Sequence, residues 1–140
     1  MTYAPLTAPL EAGTELPTVE VGPVTRTMLA LFAAASGDHN PIHIDTDFAH
    51  AAGFEDVFAH GMVSMGYLGR ALATWFPQEQ IREFGGRFKR RTPVHARPRC
   101  HGRVEEILAA DGERRARVAL WVEIDDKGPT IIGSAVVACP

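Results

Sequence analysis

The sequence has few cysteines, no long apolar run and no secretion signal. Its two cysteines, Cys100 and Cys139, are too few for a disulfide framework and do not form a Cys-x-x-Cys pair, so we expect both to be reduced and structural. No apolar stretch approaches the ~20 residues that cross a bilayer, and residues 1–9 lack the basic and apolar parts of a signal peptide. These absences predict a cytoplasmic protein without a membrane partner.

Cofactor motifs are also absent. Gly66 and Gly69 lie inside a predicted helix rather than at its start, so they do not form a dinucleotide-binding fingerprint. Four histidines fall between residues 39 and 60, but Pro41 prevents His39 and His43 from sharing one helical face. We therefore expect no redox cofactor and no bound metal.

The remaining composition is that of an ordinary globular chain. Of the 140 residues, 46% are hydrophobic and 22% are charged, which is enough to bury one core. No repeat or linker divides the sequence. We predict a single domain over residues 1–140, with residues 1–14 as a loose N-terminal arm.

Charge is distributed unevenly along the chain. Residues 1–80 hold nine acidic residues against two basic ones, whereas eight basic residues fall between Arg82 and Arg103 with only Glu83 to oppose them. Such a basic cluster could bind an anion, and it could equally be a solvated strand face. Phe84 and Phe88 are too few aromatics to indicate nucleic-acid binding, which we do not expect.

The first half of the chain predicts helices. Residues 18–21 predict a short strand, and Thr25 can cap a helix that stops at Ser36-Gly37. Pro41 prevents the helix from continuing, so residues 38–43 should form a shaped loop. Two more helices are predicted at residues 45–52 and, as the longest and most buried, 62–76.

Beyond Pro77 the pattern changes to the two-residue alternation of β-strands. Asp111-Gly112 and the Asp-Asp-Lys-Gly segment at 125–128 supply turns. Strands are predicted at residues 82–91, 97–108, 114–124 and 130–138. Helices early and antiparallel strands late predict an α+β domain with one long helix packed across the sheet.

Three blocks of sequence carry a family resemblance. They are Phe-Ala-Ala-Ala-Ser-Gly-Asp-His-Asn-Pro-Ile-His at 32–43 with Ala49 beyond it, Ala-His-Gly-Met at 59–62, and Arg87-Phe88-Lys89 followed by Pro93-Val94. In this order and spacing they resemble the MaoC-like hydratases and dehydratases, which include (R)-specific enoyl-CoA hydratases and mycobacterial-type 3-hydroxyacyl-ACP dehydratase subunits. The resemblance implies the hot-dog fold, a curved antiparallel sheet wrapped around a long helix.

The resemblance also implies roles for individual residues. Asp38 and His43 match the catalytic pair, and Gly61 matches the glycine whose backbone N–H faces the thioester carbonyl. Asn40 matches the asparagine that shapes the loop. The resemblance gives His60 no role; we expect this histidine to support the loop through a hydrogen bond, with ligand contact as the alternative. Both are candidate substrate-binding residues. Ser64 receives no role.

These residue types suit the addition of water to a conjugated thioester. The reaction needs a base for water, an acid for the α-carbon and a cradle for the enolate oxygen. Asp38 and His43 could hold one water between them, and the N–H of Gly61 would lie at the positive end of a helix. We therefore expect reversible hydration of trans-2-enoyl thioesters, linked to CoA or acyl-carrier protein, to (R)-3-hydroxyacyl thioesters.

Other interpretations remain open from sequence. Taken alone, Asp38 could be a capping residue and His43 a satisfied core histidine. A hot-dog acyl thioesterase would use a similar carboxylate and helix start. The chain could also be one subunit of a heteromeric dehydratase, either catalytic or only binding. Because a single hot-dog sheet leaves an edge open, we expect at least a homodimer, with a heterodimer of related subunits as the alternative.

Overall fold

Alternating apolar residues build a five-stranded antiparallel sheet. The computed structural model describes residues 9–139. Its strands are β1 Val19–Glu20, β2 Ile81–Phe88, β3 Arg99–Ala110, β4 Glu113–Glu123 and β5 Ile131–Ala138; its helices are α1 Arg26–Ser36, α2 Thr46–Ala51 and α3 Gly61–Trp75. In β4, the buried positions are every second residue, as the sequence predicts (Ala116, Val118, Leu120 and Val122).

The sheet has the order β1-β3-β4-β5-β2 and curves around α3. Leu68, Leu72 and Trp75 of α3 are fully buried among apolar side chains of β3, β4 and β5. The helix lies so close to β3 that a Cβ on Gly102 would be 3.0 Å from the Trp75 ring, which explains a glycine at this position. The predicted α+β arrangement, with one long helix across the sheet, is confirmed.

A second apolar cluster fixes the first two helices. It joins Leu29 of α1 and Ala49 of α2 to Val57 and to Val63 near the start of α3. Thr25 caps α1 by accepting the Met28 N–H at 3.1 Å, and Gly37 ends this helix with φ +77°. The loop after Gly37 is therefore held between two packed helices.

Differences from the predicted elements are confined to their ends. The predicted strand at 82–91 stops at Phe88, because the Lys89 and Arg90 N–H groups both donate to the Thr130 carbonyl and the chain turns away. Of the predicted arm at 1–14, residues 1–8 lie outside the described part. Leu10 is buried, and Gly13 N–H donates to the Val104 carbonyl at 2.8 Å, so residues 9–14 run against β3.

Both cysteines, Cys100 and Cys139, are buried and form no disulfide, as predicted. Burial raises the pKa of Cys100 to about 12, which keeps this thiol protonated and unreactive. Within residues 9–139, no helix is long and apolar enough to cross a membrane.

Candidate functional site

Short-range hydrogen bonds shape the loop after α1. The Asn40 N–H donates to Asp38 Oδ1 at 3.3 Å, and Asn40 Oδ1 accepts the Ile42 N–H at 3.1 Å. Pro41 then begins a single 3-10 turn, where its missing N–H is not needed. The turn directs His43 inward to a buried position and leaves Asp38 and Asn40 exposed.

A carbonyl group determines the proton arrangement of His43. Nδ1 lies 2.7 Å from the Phe58 carbonyl oxygen, which can only accept, so Nδ1 carries the hydrogen. Burial lowers the pKa of His43 below 6.5; the Phe58 bond opposes this, His60 lowers the pKa further, and Asp38 raises it. At neutral pH the ring is therefore uncharged, with an unprotonated Nε2 able to accept a proton.

His60 is a buried support for the loop. It is 1% exposed, and its Nε2 donates to the Asp38 backbone carbonyl at 3.1 Å. Its ring stacks on His43 with centroids 4.0 Å apart and lies 4.9 Å from Phe32. These contacts connect α1, the loop and the start of α3, and they set the separation of Asp38 and His43.

Asp38, His43 and His60 lie close enough together to be considered as ligands of a metal ion. Each offers a ligand atom, and these atoms lie within 4.8 Å of one another. However, the two imidazole rings are stacked, with centroids 4.0 Å apart and an interplanar angle of 29°. Nδ1 of His43 and Nε2 of His60 are also engaged by carbonyl groups. The arrangement suits an acid-base pair better than a tetrahedral metal.

Helix α3 begins without a side-chain cap. His60 occupies the N-cap position, but its ring is turned to Asp38 and makes no capping hydrogen bond. Gly61, the first helical residue, is exposed, and its N–H has no acceptor among residues 9–139. A free N–H at a helix start carries the positive end of the helix dipole and favours a negatively charged oxygen.

A cavity of about 670 Å³ joins this helix start to His43. Its wall combines apolar, hydroxyl and basic side chains: His43, Phe58, Ala59, Gly61, Ser64, Phe88, Lys89, Arg90, Arg91, Thr92 and Thr130. A Cβ on Gly61 would lie 3.2 Å from the Phe88 ring, so glycine leaves room at the point where the free N–H faces the cavity. The volume fits the reacting end of a small-molecule substrate.

The basic cluster is divided between the cavity and the surface. Lys89, Arg90 and Arg91 line the cavity, and Arg90 is held by Asp125 and the Gly128 carbonyl. Arg91 lies 4.7 Å from the centre of the Phe54 ring, and neither it nor Lys89 forms a salt bridge within residues 9–139.

Three other basic residues of the cluster lie next to acids outside the cavity. Arg82 binds Glu113 at 2.7 Å; this bond, with Arg115, lowers the pKa of Glu113 to about 2. Arg99 and Arg103 each lie 4.0 Å from a glutamate. The cluster is therefore divided into residues that line the cavity and residues that lie beside acids on the surface.

The five predicted site residues come together, but they do not all face the cavity. His43 and Gly61 line it; the Asp38 carboxylate lies close to His43 from the exposed side. Asn40 and His60 do not line it; their hydrogen bonds shape the loop. Sequence reasoning gave no role to Ser64 or Thr92, although a serine one turn after Gly61 on an otherwise apolar helix face was a detectable signal.

Comparisons with known proteins agree with this geometry. The family described as MaoC like domain matches residues 8–120. The peroxisomal multifunctional enzyme type 2 of Mus musculus is 30% identical over 133 residues, which is 91% of this chain but only 17% of that enzyme. The 3-hydroxybutyryl-CoA dehydratase of Methylorubrum extorquens is 30% identical over 109 residues, covering 78% of this chain and 69% of the relative.

A solved structure extends the agreement to three dimensions. The unliganded (R)-hydratase PhaJ1 of Pseudomonas aeruginosa superposes with a TM-score of 0.80 at 29% identity, over 94% of this chain and 83% of that one. The predicted hot-dog fold is thereby confirmed. With the family match over most of its length, this chain belongs to the MaoC-like hydratase and dehydratase family.

Proposed function

We propose that this chain catalyses the reversible hydration of trans-2-enoyl thioesters to (R)-3-hydroxyacyl thioesters. The observation that carries the proposal is the meeting, in one cavity, of an uncharged His43 and an uncapped helix start at Gly61. An acid-base group and a cradle for negative charge are the two requirements of the reaction. The names of the relatives, a dehydratase and an (R)-hydratase, support the same chemistry.

Asp38 and His43 activate the water in this proposal. The Nε2 lone pair of His43 and the carboxylate of Asp38 hold one water between them and remove a proton as its oxygen bonds to the β-carbon. The same proton then passes to the α-carbon, so no proton is gained or lost overall. The hydroxyl group and the proton both add from the side of the double bond that faces the loop, so the β-carbon takes a single configuration.

Gly61 stabilises the charge that develops on the thioester oxygen. As water adds, electron density moves from the double bond to the carbonyl oxygen, and an enolate forms. The free N–H of Gly61 meets this oxygen at the start of α3, and the absence of a Cβ allows close approach. Asn40 and His60 act by positioning the loop.

Lys89 and Arg91 supply a contact for the phosphates of the thioester carrier. Both line the cavity without a carboxylate partner among residues 9–139, and Arg91 is oriented by the Phe54 and Phe58 rings beneath it. Phosphate groups occur in CoA and in the pantetheine arm of acyl-carrier protein, so both carriers fit this contact.

We also propose a homodimer that pairs β2 with β2 of a second copy. Strand β2 lies at the edge of the sheet, with β5 on one side and, within residues 9–139, no strand on the other. Phe84 and Phe88 on this strand are 38% and 52% exposed, so this edge carries apolar surface that a second copy would cover. Sedimentation at micromolar concentration should show two chains; a fully active monomer would contradict the dimer.

One assay tests the reaction and separates it from thioester hydrolysis. Crotonyl-CoA and longer trans-2-enoyl-CoAs are incubated with the protein while enone absorbance and free thiol are followed together. Loss of the enone without thiol release, with an (R)-product identified by a stereospecific dehydrogenase, is expected. Thiol release would instead establish a thioesterase. If no enoyl thioester reacts until a related subunit is added, the heteromeric alternative holds.

A further inference from the structure

Two buried hydroxyl groups lie in the cavity wall next to the helix start. Ser64 and Thr92 are 4% and 3% exposed, and both line the cavity that contains Gly61 and His43. Their oxygens are 3.1 Å apart, within hydrogen-bonding distance. Ser64 lies one turn after Gly61 on α3, and residues three apart on a helix share a face. Ser64 and Gly61 therefore border the same part of the cavity.

A chain of hydrogen bonds and backbone links connects the hydroxyl pair to His43. Thr92 binds Ser64 through its side chain, and its carbonyl accepts the Ala59 N–H at 2.9 Å. The neighbouring carbonyl, that of Phe58, holds His43 at 2.7 Å. These links thus connect the acid-base residue to the start of α3, and the position of Ser64 is fixed relative to His43.

One hydroxyl hydrogen in this pair has no acceptor in the protein. Two hydroxyl groups carry two hydrogens, and one is used in the Ser64–Thr92 bond. Within residues 9–139, neither oxygen has another side-chain or backbone partner, although serines in helices often bind the carbonyl one turn back. A buried donor needs an acceptor, and the cavity is where that acceptor can bind.

Thr130 provides the contrast. It lines the same cavity and is 1% exposed, but its hydroxyl donates to the Val122 carbonyl at 3.2 Å. That carbonyl also accepts the Thr130 N–H at 2.8 Å, so it keeps a partner if the hydroxyl is removed. The Ser64–Thr92 pair therefore has one hydroxyl hydrogen that can be donated to a ligand, whereas the hydroxyl hydrogen of Thr130 is already donated to the Val122 carbonyl.

We propose that Ser64 donates a hydrogen bond to the thioester carbonyl oxygen, as a second donor beside the Gly61 N–H. Thr92 is a positioning residue: it donates to Ser64 Oγ and turns the Ser64 hydrogen towards the cavity. A hydroxyl that receives a hydrogen bond is a better donor, and the effect increases as the carbonyl becomes an enolate. This inference rests on the proposed hydration.

The kinetic test compares Ser64→Ala, Thr92→Val and the control Thr130→Val in the hydration assay. Loss of one preorganised donor to an enolate lowers kcat by about 100-fold, so Ser64→Ala should lose about that factor with little change in KM. Thr92→Val should lose a smaller factor, and the double variant no more than Ser64→Ala alone. Ser64→Thr and Thr92→Ser should recover most activity. Thr130→Val, in which the Val122 carbonyl still accepts the residue 130 N–H, should lose far less activity than Ser64→Ala.

Infrared spectroscopy tests the contact without turnover. Butyryl-CoA labelled with ¹³C at the thioester carbonyl cannot be hydrated, and its C=O stretch falls when the oxygen accepts a hydrogen bond. On binding to wild type the stretch should fall, and on binding to Ser64→Ala it should fall less. The control Thr130→Val should match wild type. A structural role for Ser64 would change melting temperature and leave the stretch of the bound carbonyl unaltered.

The outcomes separate this inference from the reaction. If wild type hydrates enoyl thioesters but Ser64→Ala matches Thr130→Val in both kcat and carbonyl stretch, the inference is wrong and the proposed function stands. If wild type hydrates none even with a related subunit added, the proposed function is wrong, and the infrared shift of bound butyryl-CoA still decides whether Ser64 contacts the carbonyl.

Discussion

The starts of the helices differ within this one chain. Helices α1 and α2 begin with side-chain caps, in which Thr25 accepts the Met28 N–H and Asp45 accepts the N–H groups of Asp47 and Phe48. Helix α3 is the longest of the three, yet its N-cap residue, His60, turns away from the helix. A cap contributes about 1 kcal/mol, so the longest helix begins without a common stabilising contact.

The difference in side-chain capping between α3 and the other two helices indicates which helix start has backbone N–H groups available to a ligand. At α1 and α2 a side chain accepts N–H groups of the first turn, that of Met28 in α1 and those of Asp47 and Phe48 in α2. At α3 the ring that could have capped the helix instead binds the Asp38 carbonyl, and the N–H of Gly61 faces a cavity. The His60 ring thus binds the loop after α1 and makes no capping hydrogen bond with the first turn of α3.

The largest expected effect comes from removing the acid-base group beside the open helix start. Asp38→Asn keeps the shape of the loop but removes a proton acceptor, and such groups typically contribute about 10²- to 10⁴-fold to the rate. kcat for enoyl-CoA hydration should fall by that factor while the melting temperature is retained. His43→Gln should lose a comparable factor.

The double variant sharpens this test. Asp38 and His43 act on one water in our proposal, so Asp38→Asn with His43→Gln should lose much less than the product of the two single losses. If Asp38→Asn keeps more than about a tenth of wild-type kcat, Asp38 does not act as an acid-base group in the reaction.

The second effect comes from a methyl group at the open helix start. Gly61→Ala places a Cβ 3.2 Å from the Phe88 ring, which is half exposed and can move, so folding should persist. The added methyl group would displace the thioester from the Gly61 N–H. Because misplacing the reacting group slows the reaction, kcat/KM should fall by about 10- to 100-fold.

Gly66→Ala is the matched control on the same helix. Its Cβ would meet nothing within 4 Å, and alanine is the better helix former by about 1 kcal/mol. We expect Gly66→Ala to be slightly more stable and fully active. Equal losses of kcat/KM at the two positions would show that helix perturbation, and not the site, explains the effect at Gly61.

The third effect concerns binding and not chemistry. Arg91→Ala removes a cation from the cavity, whereas Arg82→Ala removes one that is already paired with Glu113 outside it. An exposed ion pair contributes up to about 1 kcal/mol, so KM for an acyl-CoA should rise roughly fivefold in Arg91→Ala and stay unchanged in Arg82→Ala. Added salt should raise the wild-type KM more than it lowers kcat. A salt-independent KM would leave the basic cluster as a solvated face.

Local signals made much of this architecture predictable. Thr25, Gly37 and Pro41 mark the boundaries of α1 and the loop, and the alternation in β4 identifies its buried face. The motif blocks identified Asp38, His43 and Gly61.

Distances along the chain could not predict that Thr92 meets Ser64, because this bond joins residues 28 positions apart through the curvature of the sheet. Nor could they divide the basic cluster, since its division depends on partners such as Asp125 and Glu113.

The fourth effect is a dependence on pH. The pKa of His43 in the folded protein is lowered from 6.5 mainly by burial, so its unprotonated form is favoured by folding. The contribution of His43 to stability is therefore present above pH 6.5 and is lost as pH falls through the lowered pKa. kcat/KM should fall on the acidic side in the same range, below 6.5.

NMR titration of the His43 ring checks this directly. Because Asp38 raises the pKa of His43, Asp38→Asn should lower it further. A pKa at or above 6.5 in wild type, or a rise in Asp38→Asn, would contradict the assignment of an uncharged base.

The smallest effect on activity is expected at a capped helix start. Thr25→Ala removes the oxygen that accepts the Met28 N–H at 3.1 Å, and loss of such a cap costs about 1 kcal/mol of unfolding free energy. Since Thr25 lies outside the cavity lining and α1 remains packed through Leu29, which is fully buried, kcat and KM should stay at wild-type values. Chemical denaturation measured beside the hydration assay gives both quantities. A loss of kcat as large as that of Gly61→Ala would mean that both helix starts serve the reaction, and the distinction between capped and open ends would fail.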